Sequence, residues 1–170
     1  MSGGGRRDVH IREATADDGG VLTEFRMAMM ADAGMLGDET DLPGLRAATG
    51  AYLSRTLASG EFHSWVVEVE GQPVACAAVV ILLKPPGAAN HSGREAYVMN
   101  VYTLPRHRGR GLATALAERV LDWCRAQGLS KVSLHATEAG GRIYRRLGFE
   151  PRSTEMVLRL TPTAEGSASV

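Results

Sequence analysis

The 170-residue chain has 44% hydrophobic and 22% charged residues and no formal net charge, the composition of a soluble globular protein with a core large enough to need no staples. Neutrality excludes a global field that would draw the chain to nucleic acid, and no run approaches the roughly 20 apolar residues of a membrane span. The two cysteines, Cys76 and Cys124, lack metal-motif spacing and read as buried, reduced thiols, which makes a reducing cytoplasm the default location.

Residues 1–7 are Gly-rich and read as a disordered N-terminus; the opening MSGGGRRD has basic residues but no apolar stretch after them, so it does not read as a secretory signal. Val9–Arg12 alternates as a short strand. Thr15 followed by Asp18 predicts an N-cap and a helix over about Asp17–Ala33, with Val21, Leu22, Phe25, Met29 and Met30 on its apolar face. Met27, Met29, Met30 and Met35 have two readings, core or the lining of a substrate pocket, and the core reading comes first. Gly34 and Gly37 break the helix. A second helix is predicted over Leu42–Ser59, with Leu45, Tyr52, Leu53 and Leu57 inward and Gly60 as its stop.

Ser64–Glu70 and Pro73–Leu83 are β-rich runs joined by Gly71-Gln72, a hairpin signal. The second run is apolar on both faces, which places it in the middle of a covered sheet. A loop from Lys84 to Gly93 follows; Asn90, His91 and Ser92 in it, with Arg94 just beyond, could touch a substrate, while a lone His91 reads first as simply exposed. The next strand ends at Pro105, and Arg106, His107 and Arg108 then precede Gly109-Arg110-Gly111 and a helical pattern over Leu112–Ala126. Helix starts leave about four N–H groups unpartnered and favour an anion. Two glycines let the turn close around a pyrophosphate while Arg106, Arg108 and Arg110 add charge, so the expected ligand is a phosphate-bearing cofactor. The spacing excludes a P-loop, because Leu112 and Ala113 stand where Lys-Ser or Lys-Thr is needed. It also excludes the dinucleotide fingerprint, because Thr114 replaces its third glycine. Lys131–Ala136 is predicted as a short strand, Ala139–Leu147 as a helix, and Thr154–Leu160 as a last strand facing its neighbours with Met156, Leu158 and Leu160. Residues 161–170 read as a flexible tail, leaving 8–160 as a single domain.

The motif Arg106-x-x-Gly109-x-Gly111-Leu112-Ala113, with Pro105 upstream, resembles the acyl-CoA-binding signature of the GNAT superfamily of N-acetyltransferases. Downstream, Tyr144-x-x-x-Gly148-Phe149 resembles the Tyr-x-x-x-Gly-Phe signature near that family's C-terminal end. One departure is Thr137, which stands where the family often has asparagine. The order of strand, two helices, three strands, helix, strand, helix, strand is similar to the GNAT arrangement. The resemblance therefore implies an α/β fold (α+β, with a mixed sheet) of the acyl-CoA N-acyltransferase type.

It further implies an enzyme that moves an acetyl group from acetyl-CoA to an amine on a small molecule or peptide. Backbone at Met99, Asn100 and Val101 would hold the pantetheine and thioester; Arg106 and the N–H groups of His107, Arg108, Gly109, Arg110, Gly111, Leu112 and Ala113 would hold the pyrophosphate. Thr137 would contribute one further bond to CoA, and Tyr144 would lie beside the CoA sulfur as the acid. Glu95, eleven residues before Arg106, stands where some protein-acetylating members carry a glutamate base. A two-residue period puts it on one face with Met99 and Val101, and Asn100 and Tyr102 on the other. A solvated charge at the strand entry is the equally weighted alternative.

No nucleophile motif competes, so direct transfer without an acyl-enzyme is favoured. The five histidines show no ligand spacing, and no metal is expected. A nucleic-acid patch at Arg106–Arg110 lacks interleaved aromatics and a basic balance. A non-catalytic acyl-CoA sensor is the alternative function. The acceptor is not encoded legibly, and the resemblance leaves oligomeric state open, with homodimers common in the superfamily.

Overall fold

The computed structural model describes residues 9–152 and 156–158. Its elements in chain order are β1 (Val9–Glu13), α1 (Gly19–Asp32), α2 (Leu42–Ser59), β2 (Phe62–Val69), β3 (Gln72–Leu83), β4 (Arg94–Thr103), α3 (Leu112–Ala126), β5 (Val132–Leu134) and α4 (Glu138–Arg146). The five strands form one sheet in the order β1-β2-β3-β4-β5. Neighbours are antiparallel except β4 and β5, which are parallel. The mixed α/β fold is thus the one expected.

β3 is central, and its alternation explains why it is apolar throughout. Ala75, Ala77 and Val79 pack with Trp65, Val67, Leu116, Val120 and Cys124 on the α3 side. Cys76 and Ala78 pack with Leu22, Phe25, Leu53, Phe62 and Val66 on the α1–α2 side. Each set removes apolar surface from water at roughly 25 cal/mol per Å², and the small alanines in mid-strand let helices settle close on both faces.

Several local expectations shift. The β2–β3 turn is Glu70-Gly71, both at positive φ (54° and 74°), because Val69 pairs directly with Gln72; a two-residue hairpin of this hand needs positive φ at both turn positions. A 3-10 turn, Ala16–Asp18, precedes α1, and the Thr15 N–H donates to Asp18 Oδ2 at 2.7 Å. Asp18 also accepts two 2.8 Å bonds from Arg12, whose Nε reaches Glu68, so this pair ties the start of α1 to β1 and β2. On α2, Tyr52 is exposed rather than inward: Thr49, Leu53 and Thr56 form the buried stripe, the threonine hydroxyls donating to carbonyls one turn back. Met27 and Met30 are core, whereas Met35 is exposed.

The expected last strand is not seen where it can be checked. Met156, Val157 and Leu158 join no strand and are exposed, because apolar alternation marks a face that wants cover and cannot supply the neighbour. The rest of that span, the N-terminal 1–7 and the 161–170 tail lie outside the described residues.

Candidate active site

Opposite β3, β4 carries one residue too many. Cys76 pairs with Tyr102 and Ala78 with Met99, so two steps on β3 match three on β4. The extra residue is accommodated at Asn100, which sits at φ 52°, a left-handed conformation that asparagine tolerates better than most residues. Arg26 of α1 donates to Asn100 Oδ1, and the Cys76 thiol donates to the Asn100 carbonyl at 3.2 Å. Burial pushes the Cys76 thiol up to about 12, so it is a donor here and not a nucleophile.

The bulge corrects the expected faces. Met99 packs on the α1–α2 side with Tyr102, while Val101 packs on the α3 side; Glu95 therefore shares a face with Met99 but not with Val101. Alongside, the β4–β5 ladder joins Ala96–Val98 to Val132–Leu134 and stops. β5 ends at Leu134, so from Met99 onward β4 has no described strand paired with it on that side.

That end leads into the anion turn. A 3-10 turn, Pro105–His107, is followed by Gly109 (φ 74°) and Gly111 (φ 79°), and Gly111 is the N-cap of α3 with no side-chain cap. The first closed bond of the helix runs from Ala115 N–H to the Gly111 carbonyl at 3.0 Å, so the N–H groups of Leu112, Ala113 and Thr114 precede it. A Cβ built on Gly109 or Gly111 meets nothing within 4 Å: the cradle is open to whatever it binds.

The three arginines divide. Arg108 turns to α1, paired with Asp32, donating to the Thr103 carbonyl at 3.0 Å and lying 5.7 Å over the Tyr102 ring; its charge is committed to the fold. Arg106 donates to buried His107 at 3.1 Å, and Arg110 to the Arg106 carbonyl at 3.1 Å. Both line a cleft of about 370 Å³ against Glu70 and Gln72 of the β2–β3 hairpin.

On α4, Thr137 is the N-cap, its hydroxyl oxygen accepting from the Gly140 N–H at 3.2 Å. Its cap role was readable from the Thr-x-x-Gly spacing, and it leaves the hydroxyl hydrogen to donate. Tyr144 packs edge-on to Phe149 at 5.7 Å. Burial pushes its phenol above the ordinary tyrosine range, so it stays a proton donor through neutral pH.

Glu95 is placed otherwise than a poised base. Its carboxylate lies 2.7 Å from Lys84 Nζ and 3.1 Å from Lys131 Nζ, and those two bonds hold it below the usual carboxylate range. The triad joins the ends of β3 and β4 to the entry of β5 beside a cleft of about 470 Å³. Four residues of strand, about 13 Å, separate Glu95 from Met99. Glu95→Gln is expected to lower the melting temperature. A depressed carboxylate contributes stability that is full above its unfolded value and lost as pH falls through the lower folded one, so the gap between wild type and variant should close on acidification. Thermal melts across pH 3–7 check this.

Sequence reasoning missed His135. It follows β5 directly, and its Nδ1 is 2.6 Å from Tyr97 Oη; the partners are far apart in sequence, and no local motif pairs them. Among the described residues, no group of His, Cys, Asp and Glu is arranged to hold a metal ion, and no helix is long and apolar enough to cross a membrane.

The comparisons with known proteins agree with this architecture. A structure of a predicted acetyltransferase from Clostridium acetobutylicum with acetyl-CoA superposes with a TM-score of 0.82 at 27% identity, covering 89% of this chain and 96% of that one. A GCN5-related N-acetyltransferase from Ralstonia eutropha also gives 0.82, at 30% identity, covering 90% and 99%. Among curated proteins, the mycothiol acetyltransferase of Beutenbergia cavernae is 37% identical over 90 residues, 51% of this chain and 28% of that protein. The rat N-acetyltransferase family 8 member 2 is 33% identical over 106 residues, 60% of this chain and 42% of that protein. The chain thus spans less than half the length of the curated relatives it matches. The model of the acetyltransferase (GNAT) family matches residues 36–149, from the turn after α1 through the anion turn to Phe149, and on that match the chain belongs to the GNAT family of acetyltransferases.

Proposed function

We propose that the protein moves an acetyl group from acetyl-CoA to a primary amine of a small molecule or peptide by direct attack, without an acyl-enzyme. The observation that carries this is the course of one strand: β4 loses its pairing with β5 after Val98 and, a few residues on, delivers Gly109 and Gly111 to the start of α3. A long ligand with a diphosphate at one end and a thioester at the other fits that course.

In this reading the N–H groups around Gly109–Ala113 hold the pyrophosphate, where the helix dipole favours negative charge. Arg106 and Arg110 add exposed, screened charge. The edge at Met99–Val101, unpaired with β5, offers backbone groups to the pantetheine and the thioester carbonyl, polarising it as charge develops on oxygen. Thr137 keeps one donor for CoA. Tyr144, neutral and half-buried, protonates the departing thiolate. Both cysteines are free and buried, which leaves attack to the amine itself and suits a reducing compartment.

The test is titration with acetyl-CoA followed by a mass-spectrometric screen of amine libraries. Saturable binding plus acetylated amine with stoichiometric free CoA is expected. Binding with no turnover on any amine would make the domain a sensor and overturn the enzymatic reading. In that titration Arg106→Ala is expected to weaken acetyl-CoA only a few-fold, because its charge is solvent-screened.

A further inference from the structure

We propose that Arg26 of α1 binds the acceptor, and that the amine it selects carries a carboxylate within a few bonds, as an amino acid does; the proposal rests on the acetyl-transfer reading above. Arg26 stands where α1 should be apolar. It follows Leu22 by one turn and precedes Met29 by one, and both of those side chains pack into the core between α1, α2 and the sheet. Arg26 itself is half-buried, so a positive charge lies on the stripe that the helix turns to β4.

Arg26 differs from the other arginines that cross between elements in what it meets. Arg12 is matched by Asp18 and Glu68, and Arg108 by Asp32; those charges are used up in joining the fold. The Arg26 guanidinium donates instead to Asn100 Oδ1, a neutral amide oxygen, and among the described residues it pairs with no carboxylate. A half-buried charge without a counter-charge costs free energy that an anion would relieve. The guanidinium fork, with five N–H donors, suits two carboxylate oxygens at once, and the single bond from Nη1 leaves enough of them to make that pair.

The position of the fork makes the anion a substrate's. Asn100 is the bulge residue of β4, at φ 52°, on the stretch whose pairing with β5 has ended. Its side chain reaches α1 while its backbone carbonyl accepts from Cys76. In the proposed reaction the thioester lies along the backbone of Met99–Val101, so the guanidinium stands one asparagine side chain away from the reacting carbonyl. An amino acid spans that gap with its carboxylate on the fork and its amine toward the thioester. A polyamine would bring a second positive charge to the same place, where a guanidinium repels it.

The experiment uses acceptor pairs that differ only at the carboxylate, free amino acids and their amides, with the full chain and acetyl-CoA. A carboxylate also alters the basicity of the amine. The quantity read is therefore the acid-to-amide ratio of kcat/KM compared across variants, in which that difference cancels. Arg26→Gln is expected to lower the ratio about 10- to 100-fold, the worth of a charge-assisted pair, chiefly through the KM of the acid. Arg26→Lys keeps the charge but loses the fork and should fall between wild type and Gln. Asn100→Asp tolerates the left-handed backbone and gives Arg26 an internal carboxylate, so it should lower the ratio with Arg26 still in place. A residue that only braced the bulge would, on removal, slow acid and amide alike and weaken acetyl-CoA in a calorimetric titration. An unchanged ratio in Arg26→Gln, or wild-type turnover confined to the amides, would overturn the proposal and leave acetyl transfer standing. If the wild type acetylates no member of any pair, the acetyl-transfer reading fails for amino acids and this proposal falls with it.

Discussion

Replacing Gly111 with valine is expected to raise the acetyl-CoA dissociation constant about 10- to 100-fold, or roughly 1.4 to 2.8 kcal/mol. Two causes add. Gly111 stands at φ 79°, where a β-branched residue is strained by about 1–3 kcal/mol, and relief of that strain rotates the first turn of α3 away from its present aim. The new side chain also enters the space that is open in front of the turn, between the phosphate and N–H donors, each worth about 1.5–3 kcal/mol to a charged acceptor. Gly109→Val should act alike, since its φ and its open surroundings match. Gly111→Asn separates the causes: asparagine tolerates the left-handed conformation, so it should keep the wild-type melting temperature and still weaken binding through obstruction. Calorimetric titration of the folded variants measures all three, and wild-type affinity in a folded Gly111→Val protein would remove the pyrophosphate from this turn.

The features legible in the sequence are those whose cause is local. The bounds of α2 and α3 follow from their breakers, Gly60 and Gly111, and from apolar stripes that run to those points. The central position of β3 follows from its having no polar face. What escaped depends on partners distant in sequence. The Asn100 bulge adds one residue with no mark in composition, and a single added residue exchanges the two faces of everything after it, which is why Val101 and Tyr102 lie opposite to their expected sides. Tyr52 looked inward because it is large and apolar, yet α2 buries two threonines instead, whose hydroxyls are satisfied along the helix. Glu95 sits at the expected strand entry, but the lysines that hold it lie 11 and 36 residues away. The Tyr97–His135 pair spans 38 residues. Of the candidate site, then, the anion turn and Tyr144 were visible in single stretches, whereas what surrounds Glu95 became visible only when strand register brought its two lysines to it.

Tyr144→Phe is expected to cut turnover about 10- to 1,000-fold while the Michaelis constants stay within a few-fold. The argument concerns where charge appears. As the thioester breaks, sulfur gains a negative charge, and a donor aimed at it is strengthened only in the transition state, so its loss falls on kcat. An ordinary phenol near 10 is already a weaker acid than a thiol near 8.5, making full transfer uphill by about 2 kcal/mol. Burial pushes the Tyr144 phenol higher still. In the proposed reaction Tyr144 would therefore act chiefly as a charge-assisted hydrogen-bond donor that completes its transfer late, and the same shift keeps it protonated to higher pH than an exposed tyrosine, so ionisation of this group should not limit activity in the neutral range. Phenylalanine preserves the edge-on contact with Phe149 and the packing over Gly140, so the melting temperature should hold. Steady-state kinetics with a thiol-release readout, paired with a melt, decides it: normal turnover in the variant, or a loss accompanied by unfolding, would take the acid role away from Tyr144.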